Sequence, residues 1–102
     1  MTTKTKNELS IEAKQLVRSV SDNIVLARKA RNLSQIAAAE EIGISVTAYK
    51  AIENGEGNSN FLTYVKAIDY YGLIHSLAFL AAPQYDPVGQ DVRLNKKSQG
   101  KK

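Results

Sequence analysis

Between Ser34 and Gly55 the chain carries two sets of helix start and stop signals, with only Ile44 between them. Ser34 and Ser45 can each accept a hydrogen bond from a first-turn N–H through the hydroxyl oxygen. Gly43 and Gly55 can each take the positive φ at which helices stop. The spacing predicts one helix over 35–42 and another from Ser45 to Asn54. Two short helices joined by so brief a turn must cross at a steep angle. Ala39 is small where they come closest, and Ile42, Ile44, Tyr49 and Ile52 can bury together beneath them. In the second of the two helices this leaves Val46, Thr47, Lys50, Ala51 and Asn54 on one exposed face.

The rest of the chain reads as helix and connection. Ile11, Leu16, Val17, Val20, Ile24 and Ala27 recur at steps of three and four, which predicts helix over residues 9–32. Ser19, Ser21 and Asp22 can each cap a start and so divide that stretch in two. Glu56-Gly57-Asn58-Ser59-Asn60 is a loop of turn formers. Phe61, Tyr64, Val65, Ile68 and Tyr71 form a further helical stripe, which Gly72 ends. Ser76–Ala82 is expected as a short apolar helix terminated by Pro83. No stretch alternates long enough to predict a strand, so the fold class is all-α. Residues 1–9 are expected as a flexible leader, 10–82 as the folded domain and 83–102 as a mobile basic tail.

Several function classes fall away on composition. The 102 residues suit one domain. With no cysteine there is no disulfide, thiolate metal site or Cys nucleophile. One histidine, His75, and no suitable carboxylate cluster leave no metal centre, and no serine has the company of a catalytic triad. Gly55-Glu56-Gly57 lacks the Lys-Ser/Thr of a phosphate loop. No enzyme, cofactor or metal is expected. The uncharged run Tyr70–Tyr85 is too polar and interrupted to span a bilayer, and the first residues lack an apolar signal core, so a cytoplasmic protein is expected. The net charge of +4 sits in the ends: Lys4 and Lys6 at one, Arg93, Lys96, Lys97, Lys101 and Lys102 at the other. Residues 10–82 are neutral in sum, with seven basic and seven acidic side chains, so bulk charge alone does not demand a polyanionic partner.

The segment around the two short helices resembles the helix-turn-helix of Cro/cI-type (Xre-type) transcriptional regulators, over roughly residues 20–82. Arg28, Leu33-Ser34-Gln35, Ala39, Ile42-Gly43-Ile44-Ser45, Ile52-Glu53 and Gly55 carry the resemblance. It implies a five-helix lambda-repressor-like DNA-binding domain, here with a short extra N-terminal helical segment and a flexible basic C-terminal tail. The reading helix, about 15 Å long, suits a B-DNA major groove. By resemblance, Gln35 clamps a phosphate at the start of its helix, where backbone N–H groups add to the contact. Ser45, Val46, Thr47, Lys50 and Ala51 hold the base-edge and near-backbone positions, while Asn54, Asn58 and Asn60 match places that touch phosphate. Arg28 and Glu53 match an ion pair between the first and third helices that sets the angle of the reading helix.

Departures from the family pattern are informative. Many members place Arg or Gln where this chain has Val46 and Ala51, which offer only apolar contact to a thymine methyl. Reading then leans on Thr47, Lys50, methyl contacts and DNA shape. Ala38 stands where Leu is usual and Tyr49 where Val is frequent, so the larger side chain can fill volume left by the smaller. Ile36 replaces a usual Glu and should be exposed.

The resemblance implies a sequence-specific repressor that binds a double-stranded DNA operator as a homodimer. Leu73, Ile74, Leu77, Phe79 and Leu80 are the expected dimer contact. The end of the chain, Leu77–Pro83 with Asp86-Pro87-Val88, Arg93 and the lysines, resembles HipB-like antitoxins, which partner a HipA-type kinase toxin and repress their own operon. A phage-type repressor and a restriction–modification controller are alternatives within the class. The alternative outside it is a protein-interaction module that keeps the fold without contacting DNA.

Overall fold

The computed structural model describes residues 8–55 and 58–100, with the side chains of 96–100 excepted. Lys4, Lys6, Glu56, Gly57, Lys101 and Lys102, and the side chains of Lys96 and Lys97, therefore lie outside the described residues. The order of elements is α1 (Ile11–Ala30), α2 (Gln35–Ile42), α3 (Val46–Asn54), α4 (Phe61–Tyr70), two 3-10 helices (Ile74–Phe79 and Pro83–Tyr85) and α5 (Pro87–Gly100). The chain is all-helical, with no strand among the described residues. None of the described helices is long and apolar enough to cross a membrane.

Local sequence places the helix ends. Ser10, Ser34, Ser45 and Asn60 each hold an extended backbone and accept a hydrogen bond from the N–H three residues on. Gly43 (φ +87°) and Gly55 (φ +70°) stop α2 and α3 in the left-handed region. The first stretch ends at Asn32, which takes φ +55°, tolerable because a short polar side chain can bond to its own backbone.

The division of α1 at Ser19, Ser21 or Asp22 does not occur; the helix runs unbroken for 20 residues. Ser21 is fully buried and gives its proton to the Ile52 carbonyl (2.6 Å), so its polarity is satisfied across a helix interface and not by a new N-cap. The expected extra N-terminal helical segment is the first half of this same rod.

Ser76–Ala82 also differs from expectation. The helix here is 3-10, begins at Ile74 and ends at Phe79, and Ala81 then turns with φ +51°. Pro83 starts the next 3-10 helix in place of closing the previous one, since its missing N–H costs nothing at a first position. The segment expected as a flexible basic tail is helical from Pro87 to Gly100. α5 leans mainly on the Pro83–Tyr85 turn, with Val88, Val92 and Leu94 left exposed.

The core lies where α1, α2, α3 and α4 meet. Ile24, Ala27, Ala38, Ala39, Tyr49, Ile52, Ala67, Ile68 and Tyr71 are buried in one cluster. Alanine at 27, 38, 39 and 67 lets the helix backbones approach closely, while Tyr49, Ile52, Ile68 and Tyr71 supply the volume. Ala38 and Tyr49 are both fully buried, as suits a small-for-large exchange within one core. Burying a side chain such as Ile52 contributes about 1.5–3 kcal/mol. Ile42, Ile44 and Leu77 pack partly buried against the cluster, whereas Phe61, part of the α4 stripe, stays 64% exposed at its first turn.

Candidate nucleic-acid interface

The two faces of α3 are set by what it rests on. Tyr49, Ile52 and Glu53 point inward and are buried. Thr47, Lys50 and Asn54 are exposed, with Ala51 half-buried beside them. Val46 is half-buried as well and packs against the core cluster. The outward surface available for contact is therefore narrower than the spacing implied.

A hydrogen-bonded network holds this helix from below. Arg28 on α1 donates to both Glu53 carboxylate oxygens, from Nε at 2.7 Å and from Nη2 at 3.2 Å. Its Nη1 donates to the Leu33 carbonyl at 2.8 Å, so one guanidinium spans α1, the α1–α2 turn and α3. Both side chains of the pair are largely buried, at 12% and 5% exposure. Gln35 is half-buried, and its amide nitrogen donates to Glu53 Oε1 at 2.9 Å. The side chain that resemblance assigns to phosphate thus already ties the start of α2 to α3 through one of its donors.

The electrostatics follow from that geometry. Burial by itself would raise the Glu53 pKa, but hydrogen bonds from Arg28, Tyr49 and Gln35, and the Arg28 charge, outweigh it and hold the carboxyl below its ordinary range. Burial pushes the Tyr49 phenol well up, and the Glu53 carboxylate beside it pushes the same way. Burial also raises Tyr71. The two phenol oxygens are 2.6 Å apart, which satisfies both hydroxyls inside the core. Arg31 lies over the Tyr71 ring, 5.2 Å from its centre, and donates to the Ala27 and Tyr71 carbonyls.

The remaining residues assigned by resemblance fall into distinct settings. The Ser45 hydroxyl oxygen is engaged as the α3 cap, accepting from Ala48 N at 3.0 Å. Asn60 Oδ1 accepts from both the backbone N–H and the hydroxyl of Thr63. Asn58 is exposed in the loop between α3 and α4. Ile36 is 62% exposed on α2. Of the expected dimer contact, Leu73, Phe79 and Leu80 are exposed, while Ile74 and Leu77 are half-buried and Leu77 joins the core.

Two more residues act on α3: Arg18, which the sequence reading passed over, and Ser21, which it took for a helix cap. Arg18 and Ser21 of α1 bind the carbonyls at its last turn. Their signal was present: 18, 21, 24 and 28 recur at three and four residues along one α1 face, though Arg18 and Ser21 broke the apolar pattern used to define it.

A model of the helix-turn-helix family matches residues 24–75, half of the chain. The cryptic phage CTXphi transcriptional repressor RstR of Vibrio cholerae serotype O1 is 42% identical over 50 residues. That match covers 49% of this chain and 45% of the relative, so it spans less than half of the relative's length. No solved structure matches the chain significantly.

Proposed function

The chain belongs to the helix-turn-helix family, and on that premise we propose that it is a non-catalytic transcriptional repressor that binds double-stranded DNA through α3 as a homodimer in the cytoplasm. The observation that carries the reading is the two-faced α3. Its inner face is locked by Glu53, Tyr49 and Ile52, and its outer face offers Thr47, Lys50 and Asn54. A recognition helix must be rigid behind and polar in front, because hydrogen bonds to base edges tolerate little displacement. The relative whose name is transcriptional repressor supports the same reading.

Thr47 and Lys50 carry base reading in this proposal, with Ala51 and the exposed part of Val46 offering apolar contact to thymine methyl groups. Gln35, the N–H groups at the start of α2, Ser45, Asn54, Asn58 and Asn60 hold the backbone. One reading helix spans few base pairs, so two copies would meet half-sites about 34 Å apart. Leu73, Phe79 and Leu80, exposed beside the core, are the proposed dimer contact, with Ile74 and Leu77 beneath them. Among narrower roles, the phage-type repressor is the one the relative favours. Partnership with a HipA-type kinase toxin rests on the sequence of the chain's end alone.

Selecting bound duplexes from a random pool tests the proposal. A recurrent near-palindromic site is expected, with log affinity falling by several units per unit of log salt. Thr47→Ala and Lys50→Ala should alter base preference, whereas Gln35→Ala should weaken all duplexes alike. A flat salt response, with no duplex selected, would instead leave a protein-interaction module.

A further inference from the structure

The last turn of α3 is gripped from α1 by residues that precede the matched family segment. We infer that Arg18, seconded by Ser21, is a positioning residue that fixes the angle at which α3 meets DNA; the inference rests on the DNA-binding reading above.

The contacts are to backbone. Arg18 Nη1 donates to the Asn54 carbonyl at 2.6 Å and Nη2 to the Glu53 carbonyl at 3.0 Å. Ser21 Oγ donates to the Ile52 carbonyl at 2.6 Å. The last four carbonyls of a helix have no N–H partner within it. Here three of those four are taken by side chains from another helix, more than 30 positions away in sequence. The guanidinium charge also lies at the negative end of the α3 dipole.

The seat for Arg18 is built on both sides. Behind it, Asp22 accepts from Nε at 3.1 Å, one helical turn on, and so holds the fork. In front, Gly55 makes room: a Cβ at that position would lie 2.7 Å from Arg18 Cζ. Arg18 and Arg28 thus hold the same residue from two directions, one through the Glu53 carbonyl and one through its carboxylate. Both grips fall on the last turn of α3, Arg28 on a side chain and Arg18 on the backbone. Ala51 and Asn54 lie in that turn, and Lys50 directly precedes it.

The Arg18 side chain is 49% exposed, and exposed pairs add little stability. Its principal effect is therefore on orientation. Hydrogen bonds to base edges weaken steeply with misalignment, so a small swing of the α3 end removes discrimination before it removes folding.

The test uses the full chain and its Arg18→Ala, Arg18→Lys and Ser21→Ala variants. Probes are the duplex that the unsubstituted protein selects from a random pool and an unrelated duplex of equal length. Backbone amide residual dipolar couplings on the free proteins report the angle between α1 and α3. Arg18→Ala should lose about tenfold or more on the selected duplex and less than about twofold on the unrelated one. Its α3 couplings should no longer fit the original orientation. Arg18→Lys should recover only part of the loss, since an ammonium lacks the planar fork that spans two carbonyls and Asp22. Equal loss on both duplexes, with the salt slope reduced by about one, would make Arg18 a phosphate contact and overturn the inference. So would an unchanged α3 orientation. If the unsubstituted protein selects no duplex, the DNA reading fails on its own, and the couplings still judge the brace. Should Arg18→Ala not fold, Arg18→Lys and Ser21→Ala decide by the same readouts.

Discussion

Arg28 and Glu53 are 25 residues apart in sequence, yet the Arg28 Nε lies 2.7 Å from Glu53 Oε2 in a largely buried ion pair. The pair joins the first helix to the inner face of the helix proposed to read DNA. Gln35 adds the start of α2 to the same carboxylate. Three helices are therefore located by one acidic side chain.

Removing that side chain should be costly. Glu53→Ala leaves the Arg28 guanidinium buried without its partner, a situation that costs about 3–5 kcal/mol. The midpoint of urea unfolding, at unchanged slope, measures it. A loss below about 1 kcal/mol would mean that water reaches the pair and screens it.

Acid should weaken the protein through the same group. The Glu53 pKa is lowered on folding, so its contribution is complete above its ordinary value of 4.5 and is lost as pH falls through the lower folded value. In that window the unfolded chain binds the proton first, so unfolding is favoured as pH drops. Urea titrations from pH 6 downward should show this slope in the unsubstituted protein and a shallower one in Glu53→Gln.

The two helix-ending glycines should respond differently to alanine. Nothing lies within 4 Å of a Cβ at Gly43, so Gly43→Ala pays only for its positive φ, about 1 kcal/mol. Gly55→Ala pays that and also displaces the Arg18 fork. Thermal or urea unfolding should place Gly55→Ala below Gly43→Ala. The difference should vanish when both are made in an Arg18→Ala background.

Ending the chain after Asp86 should leave the core intact. α5 leans mainly on the Pro83–Tyr85 turn, and its described apolar side chains are exposed. The truncated chain should unfold within about 0.5 kcal/mol of the full one, as surface changes generally do. A larger loss would place α5 inside the cooperative unit.

The capping serines, the stop glycines and the apolar spacing determined α2 and α3 to the residue, because those signals act within one turn of the chain. The same local rules misjudged Ser21 and the Ile74–Phe79 segment. A serine can cap a helix start or bond across an interface, and which one occurs depends on whether a carbonyl such as that of Ile52 arrives from elsewhere. Periodicity likewise placed Val46, Thr47, Lys50, Ala51 and Asn54 on one face; Thr47, Lys50 and Asn54 are exposed there, while Val46 and Ala51 are half-buried.

Only tertiary structure decided how that face is held. The links from Arg18 and Ser21 to the α3 carbonyls, and from Gln35 to Glu53, join residues 18 to 36 positions apart. Periodicity reports what lies along one helix. It carries no information on which polar groups of two helices meet once the apolar faces have closed, and that meeting fixes the direction in which α3 points.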